Sequence, residues 1–495
     1  MFSTLPPGEW PGGEGDAFSR PDAEATPVLC HKSEAWVHVR YSSLTPALSR
    51  RERQEYASRI SCELAARPSF CVAARKFGRK GRAIRAHPGC PSPHITMSHL
   101  AGARMEWHFS RRLAWAATEN ALARAEAAAR ASGRPLLDLT VSNPTQVGLP
   151  YPDDDIGRAF ANATTSPYQP TPFGLPGARA AVVGDYARRG VEVDVSQVVL
   201  TASSSESYAL LFKLLGDPGQ SVLCPEPSYP LFEYLARLEN LTPRPYRLRF
   251  DGGWHIDFPS LDLADAAAII LVSPNNPTCS FVSSDDFDRL AGLAAEHGRA
   301  LIVDEVFADF PISPAAGAVT AVAGRTSPAL VFSLGGLSKS CGLPHLKLGW
   351  LAATGPTALV NDALARLELI ADTYLSVGTP VQLALPGLLQ AGAAIRRQII
   401  ERVQHNRRAL AQALGTHSPC SLLPAEAGWC AILRVPEIMS DEAWASALLE
   451  QDSVLVQPGY FFDLAMGATL VLSLIVQEHV FAEGVARLLA RVAAM

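Results

Sequence analysis

Four short segments of this 495-residue chain carry side chains that could do chemistry. Ala202-Ser203-Ser204-Ser205-Glu206 follows an apolar run. Small hydroxyl residues where a strand turns into a helix present free backbone N–H groups and a positive dipole end, a place for an anion. Ser273-Pro274-Asn275-Asn276-Pro277-Thr278 puts a side-chain amide in an Asn-Pro turn, and Asp304-Glu305 closes another apolar run. Leu334-Gly335-Gly336-Leu337-Ser338-Lys339-Ser340-Cys341-Gly342-Leu343-Pro344 sets a lysine in a Gly/Ser loop. Taken singly, each has a plain structural explanation: helix capping by serine, a turn, a strand-end acid, a solvated lysine. Lys339 lacks the preceding glycine of a Walker loop, and no Ser-x-x-Lys or Gly-x-Ser-x-Gly nucleophile pattern fits the segment.

The elements that must position these groups are strands and helices in alternation. Short apolar or β-branched runs stand at residues 198–200, 221–223, 268–272, 300–303, 329–332 and 348–352, with helical patterns between them at 207–215 and 285–297. An Ala-rich helix is expected earlier, at 118–132, closed by Gly133 and Pro135. Unbroken apolar strands interleaved with helices predict a mostly parallel sheet covered on both faces. Ligands of such sheets collect beyond the C-terminal strand ends, where all four segments fall.

Composition agrees with a packed core. With 48% hydrophobic and 18% charged residues, a wholly disordered or coiled-coil chain is excluded. The net charge of −5 gives no general reason to expect nucleic acid as a partner. The longest apolar run, residues 464–476, is about 13 residues, short of the roughly 20 a transmembrane helix needs. No apolar leader opens the chain and the nine cysteines have no paired spacing, so a reduced, cytoplasmic setting is expected. The twelve histidines are dispersed, and no metal site is expected. Before Met97 there are 14 Lys and Arg against 9 Asp and Glu, without sustained periodicity. A basic nucleic-acid-binding arm is one reading of that stretch; a poorly ordered extension over residues 1–104, or upstream sequence from a mis-assigned start, is the simpler one.

Taken together the four segments resemble the class I/II aminotransferases, pyridoxal-phosphate enzymes of fold type I. Asn275-Asn276-Pro277-Thr278, Asp304-Glu305-Val306-Phe307 and the run from Ser338 to Pro344 carry the resemblance, which extends from Met105 to the C-terminus. It implies an α/β fold: a mostly parallel central sheet with helices on both faces, plus a smaller α+β C-terminal domain. Residues 149–371 would form the large domain, and 105–148 with 372–495 the small one. Lys339 would hold the cofactor aldehyde as an aldimine and then move the substrate proton, which requires a lowered amine pKa. Asp304 would keep the pyridine nitrogen protonated. Asn276 would hydrogen-bond the ring hydroxyl, Tyr229 would stack on the ring, and Ser204 and Ser205 would hold the phosphate. Lys347 stands where an arginine is usual, keeping the charge without the bidentate fork. Tyr168 matches the tyrosine that crosses from a partner subunit, which implies a homodimer with amino acid and 2-oxo acid substrates and no membrane partner.

Three departures accompany the resemblance. Phe307 replaces a tyrosine, removing a donor to the ring hydroxyl and raising the expected aldimine pKa. Gly336 stands where a phosphate-binding serine is common. Val471 aligns with the arginine that binds the substrate carboxylate and cannot form that pair. Asn143 and Arg434 are substitute candidates, Arg434 being equally well a surface residue. A carbon–sulfur lyase, or another reaction of the same cofactor, is therefore the alternative to amino transfer. A cofactor-binding domain fused to a DNA-binding winged helix would need a helix-turn-helix pattern and linker that the leading segment lacks.

Overall fold

The computed structural model describes residues 109–113, 121–161, 163 and 168–495. The extension expected over 1–104 lies outside the described residues, as does the start of the helix expected at 118–132. That helix, α1, is described over Ala121–Ala131 and ends before Gly133, whose φ of 71° is the left-handed turn glycine favours.

Eight strands form the main sheet: β1 (Val198–Thr201), β2 (Ser221–Glu226), β3 (Thr242–Phe250), β4 (Trp254–Ile256), β5 (Ala266–Val272), β6 (Ala300–Asp304), β7 (Val331–Gly336) and β8 (Gly349–Thr354). Their spatial order is β1-β8-β7-β6-β5-β2-β3-β4. All run the same way except β8 and β4, which pair antiparallel with their neighbours. Every position of β5 and β6 is buried, because both faces are covered. On one face Ile270, Ile302 and Phe332 pack with Leu211 and Phe212 of α2 (Ser204–Leu215). On the other, Ile269, Leu301 and Val331 pack with Phe287 and Leu290 of α3 (Ser284–Glu296). Each fully buried side chain of this kind contributes roughly 1.5–3 kcal/mol of transfer free energy.

Three local features differ from the sequence reading. Strands β3 and β4 were not expected, because β3 contains two prolines and three arginines and buries only Pro243 and Tyr246. It persists because β2 holds it in parallel register while Arg244 turns outward to Asp262. Helix α2 begins at Ser204, three residues before the expected start, since Ser203 caps it by accepting from Glu206 N. Gly335 and Gly336 belong to β7 and not to a loop, because β8 pairs beside them, Gly335 opposite Trp350 and Gly336 opposite Gly349.

Beyond β8 come α4 (Thr357–Tyr374) and the 36-residue α5 (Thr379–Leu414). A second, antiparallel sheet follows from β9 (Ser421–Leu422), β10 (Cys430–Arg434), β11 (Gln457–Pro458) and β12 (Thr469–Ser473), in the order β9-β10-β12-β11. Leu137 and Asp138 pair in parallel with Val454 and Leu455, tying the early segment to this C-terminal part. Among the described residues no helix is long and apolar enough to cross a membrane.

Candidate active site

Because β1, β5, β6 and β7 are mutually parallel, their C-terminal ends open on one edge of the sheet, and the four chemical segments meet there. Asp304 is the last residue of β6 and is buried. Lys339 follows β7 in a short helical turn, Leu337–Ser340. Its Nζ lies 5.2 Å from the ring centroid of Trp429 and 5.7 Å from that of Phe307. Burial pulls the Lys339 pKa down, opposed by the Cys430 thiol and the Asp304 carboxylate. Burial pushes Asp304 up to about 6, with the Val306 N–H, the Tyr208 hydroxyl and Lys339 acting against it. An amine whose charged form burial disfavours thus acts on a carboxyl whose pKa, though raised, lies at about 6.

The turn carrying Lys339 is held from below. Ser340 Oγ donates to Gly336 O (2.9 Å), and Arg396 Nε, reaching across from α5, donates to Ser340 O (2.9 Å). Arg396 is buried with Asp185 and Asp309 at 3.6 and 3.7 Å, and Arg188 closes the cluster on both carboxylates. Four charges compensate one another beneath a single lysine.

The two asparagines of the Asn-Asn-Pro turn have different tasks. Asn275 is buried and spends its side chain on the turn and on its neighbour: Thr278 N donates to its Oδ1, and its Nδ2 reaches Pro227 O and Ser228 Oγ. Asn276 is half-buried, and its Oδ1 accepts from Cys430 Sγ at 3.4 Å. Cys430 interacts with Lys339, so Asn276, Cys430 and Lys339 share one wall.

The segment expected to take an anion forms the start of α2. Ser203 supplies the cap, leaving half-buried Ser204 and Ser205 in the first turn of α2. Glu206 reaches back to Ala202 N (2.5 Å), a variant of the capping box that engages the residue before the cap. Gly349 presses against this end: a Cβ there would lie 3.1 Å from Ser203 C and 3.2 Å from Ser204 N. Lys347, exposed and left-handed at φ 50°, stands two residues before that contact. Tyr229 is half-buried near Asp304, whose charge adds to burial in raising the tyrosine pKa. Tyr168 is 67% exposed and lines a cleft with Tyr374 and Ser376.

The structure does not bring the two substitute carboxylate binders together. Asn143 uses its Oδ1 to cap a turn, accepting from Thr145 N (3.1 Å) and Thr145 Oγ1 (2.8 Å). Its segment does border the site, since Ser473, the β-partner of Cys430, donates from Oγ to Val141 O. Arg434 lies four residues along β10 from Cys430, about 13 Å at strand spacing, with its guanidinium over the Phe250 ring. Val471 is 1% exposed in the middle of β12, opposite Ile432 and Gln457. Sequence reasoning missed Tyr208, Trp429, Cys430 and Arg396. Of these only Tyr208 carried a local signal, standing one helical turn after Ser204 on a capped helix.

Residues 136–474 match the family model described as aminotransferase class I and II. This chain belongs to that family. Nicotianamine aminotransferase A of Hordeum vulgare is 31% identical over 315 residues, covering 58% of this chain and 66% of that protein. A putative aminotransferase of Rhizobium meliloti is 28% identical over 391 residues, 76% of this chain and 92% of the relative. Among solved structures, an alanine aminotransferase from Pyrococcus furiosus superposes with a TM-score of 0.69 at 21% identity, covering 78% of this chain and all of that one. The chain spans 66% of the length of nicotianamine aminotransferase A and 44% of the length of nicotianamine aminotransferase B of Hordeum vulgare. Members of this family use pyridoxal phosphate. The donor set fits it: an amine of lowered pKa, a buried carboxylate, a half-buried amide, and two hydroxyls on a helix end packed too closely against Gly349 to admit a side chain there.

Proposed function

We propose that this chain is a pyridoxal-phosphate-dependent aminotransferase of amino-acid metabolism, moving an amino group from an amino acid to a 2-oxo acid. The observation that carries the proposal is that Lys339 and Asp304 lie close enough for their charges to act on each other, each perturbed by burial and each partly compensated by the other. The bound cofactor supplies an electron sink for the bond broken at the substrate α-carbon. Asp304 holds an ionised carboxylate for the ring nitrogen. Asn276 offers its Nδ2 to the ring hydroxyl, and Tyr229 a ring face. Ser204, Ser205 and the N–H groups of α2 hold the phosphate, with Lys347 as a point charge at the rim. Lys339 Nζ holds the cofactor and, once free, moves the proton at the substrate carbon.

The exposed side chains of Tyr168, Leu369, Tyr374 and Leu383 support a homodimer in which Tyr168 reaches the partner's site. The division into a large domain at 149–371 and a small one from 105–148 and 372–495 goes with this reading, and the pairing of Leu137–Asp138 with Val454–Leu455 supports it. The free state of the five described cysteines supports a reducing, cytoplasmic setting. Amino acid in place of carboxylate-binding arginine at Val471 leaves the segment around Asn143 as the remaining candidate. Nothing in the geometry favours the lyase.

The test is the visible spectrum of the loaded protein as single amino acids are added. Bleaching by particular donors with formation of the matching 2-oxo acid is expected; release of ammonia instead would establish elimination. Lys339→Ala should fold normally, fail to retain cofactor after borohydride reduction and lose turnover. Full turnover in that variant would overturn the assignment.

A further inference from the structure

We propose that Cys279 and Cys430 form a reactive dithiol site beside Lys339, in which two-electron oxidation joins the sulfurs and ends the hydrogen bond from Cys430 to Asn276. Cys279 follows the Asn-Pro turn, and its carbonyl is gripped by Glu426 N (2.7 Å) and Ala427 N (3.0 Å) of the segment that leads into β10. Its Sγ points at that segment and donates to Cys430 O at 3.3 Å. Gly428 packs directly on Cys279: a Cβ there would stand 3.1 Å from Cys279 Sγ. Cys430 Sγ donates to Asn276 Oδ1 at 3.4 Å, so the second thiol belongs to the wall shared with Asn276 and Lys339.

The chemistry of the pair is asymmetric. The proximity of Cys430 draws the Cys279 pKa below the ordinary range against the effect of burial, with the Arg407 guanidinium contributing. Arg407 Nη1 is buried without a hydrogen-bond partner, a cation that gains from a thiolate nearby. Cys430 is pushed upward by the same partner. Of the two sulfurs Cys279 thus loses its proton the more readily, the polarity that disulfide formation uses. With hydrogen peroxide as co-reactant, the Cys279 thiolate attacks one oxygen, the O–O bond breaks and the first water leaves. Cys430 sulfur then attacks the sulfenic sulfur, the S–O bond breaks and the second water leaves. The two cysteines lose two electrons and two protons, and both peroxide oxygens end as water. Once joined to Cys279, the Cys430 sulfur has no S–H left to donate to Asn276 Oδ1.

The crosslink stands on the contact between Cys279 and Cys430; its effect on pyridoxal phosphate rests on the proposed function. The test treats the full chain with hydrogen peroxide, blocks remaining thiols with N-ethylmaleimide and maps peptides without reductant. A linked peptide containing Cys279 and Cys430, reversed by dithiothreitol, is expected. The affinity of the cofactor-free protein for pyridoxal phosphate should fall severalfold on oxidation and recover on reduction. C279S should give no linked peptide and keep its affinity through the same treatment. Recovery of the two cysteines unlinked in the treated wild-type chain would overturn the site. An equal affinity loss in C279S, or a linked peptide with unchanged affinity, would overturn the coupling to Asn276. A linked peptide in a protein that binds no pyridoxal phosphate in either state would leave the dithiol site standing and sink the function.

Discussion

Tyr208 Oη donates a 3.1 Å hydrogen bond to Asp304 Oδ2, tying the buried side of α2 to the end of β6. The other oxygen, Oδ1, accepts from Val306 N at 3.1 Å. The carboxylate is therefore aimed by two donors from different elements, and it keeps its charge despite burial partly because of them. Tyr208→Phe removes one donor at little change in volume. A hydrogen bond to a charged group contributes about 1.5–3 kcal/mol. The variant should hold Asp304 at a pKa above the present value of about 6, and cofactor affinity should fall, most steeply between pH 6 and 7. An affinity–pH profile identical to that of the wild type would refute the role.

Asp304 also makes a prediction for the cofactor-free protein. Its folded pKa, about 6, is raised above the 3.8 of an ordinary aspartate, so the folded state binds the proton more tightly than the unfolded one. The sign follows: this group favours folding below pH 4, and the advantage is lost as pH rises through about 6. A shift of this size corresponds to roughly 3 kcal/mol. Cofactor-free Asp304→Asn should accordingly resist urea better than the wild type at pH 7.5, with the gap closing below pH 4, while turnover is lost. Urea midpoints across that range measure it; a gap that widens on acidification would contradict it.

Arg396 links stability to the reactive lysine. It is buried, it holds Ser340 O, and it faces Asp185 and Asp309. Arg396→Met would leave two buried carboxylates with Arg188 alone, and breaking such a cluster costs about 3–5 kcal/mol. The expected result is a lower urea midpoint and weaker turnover than the stability loss alone explains, because the turn bearing Lys339 loses its anchor. Unchanged kcat in the folded fraction would limit Arg396 to a structural role.

Gly336 departs from the family's usual serine for a reason visible in the sheet. A Cβ there would stand 3.1 Å from Gly349 Cα and 3.3 Å from Leu348 O, tighter than strands β7 and β8 accept without moving apart. Gly336→Ser should cost about 1–3 kcal/mol from overpacking. It should also weaken pyridoxal phosphate binding, since Gly349 also abuts the start of α2. Tighter binding in the variant, measured by fluorescence titration, would show that the serine can be accommodated.

The strands that bear the chemistry and the order Ser204, Asn276, Asp304, Lys339 were legible in the residues themselves. Buried parallel strands need unbroken apolar runs, caps need small hydroxyls, and turns need Gly, Pro or Asn; all are signals that act over a few neighbours. Strand β3 was not legible, because its Pro and Arg content hides a pairing that β2 imposes. Nor were the partners of the reactive groups. Tyr208 meets Asp304 across 96 residues, Arg396 meets Ser340 across 56, and Cys430 meets Asn276 across 154. Contacts at those separations depend on how the second sheet and α5 pack against the first, and no local spacing encodes that packing. The residue types alone settled which groups could react; only the tertiary structure decided which neighbours set their charge and aim.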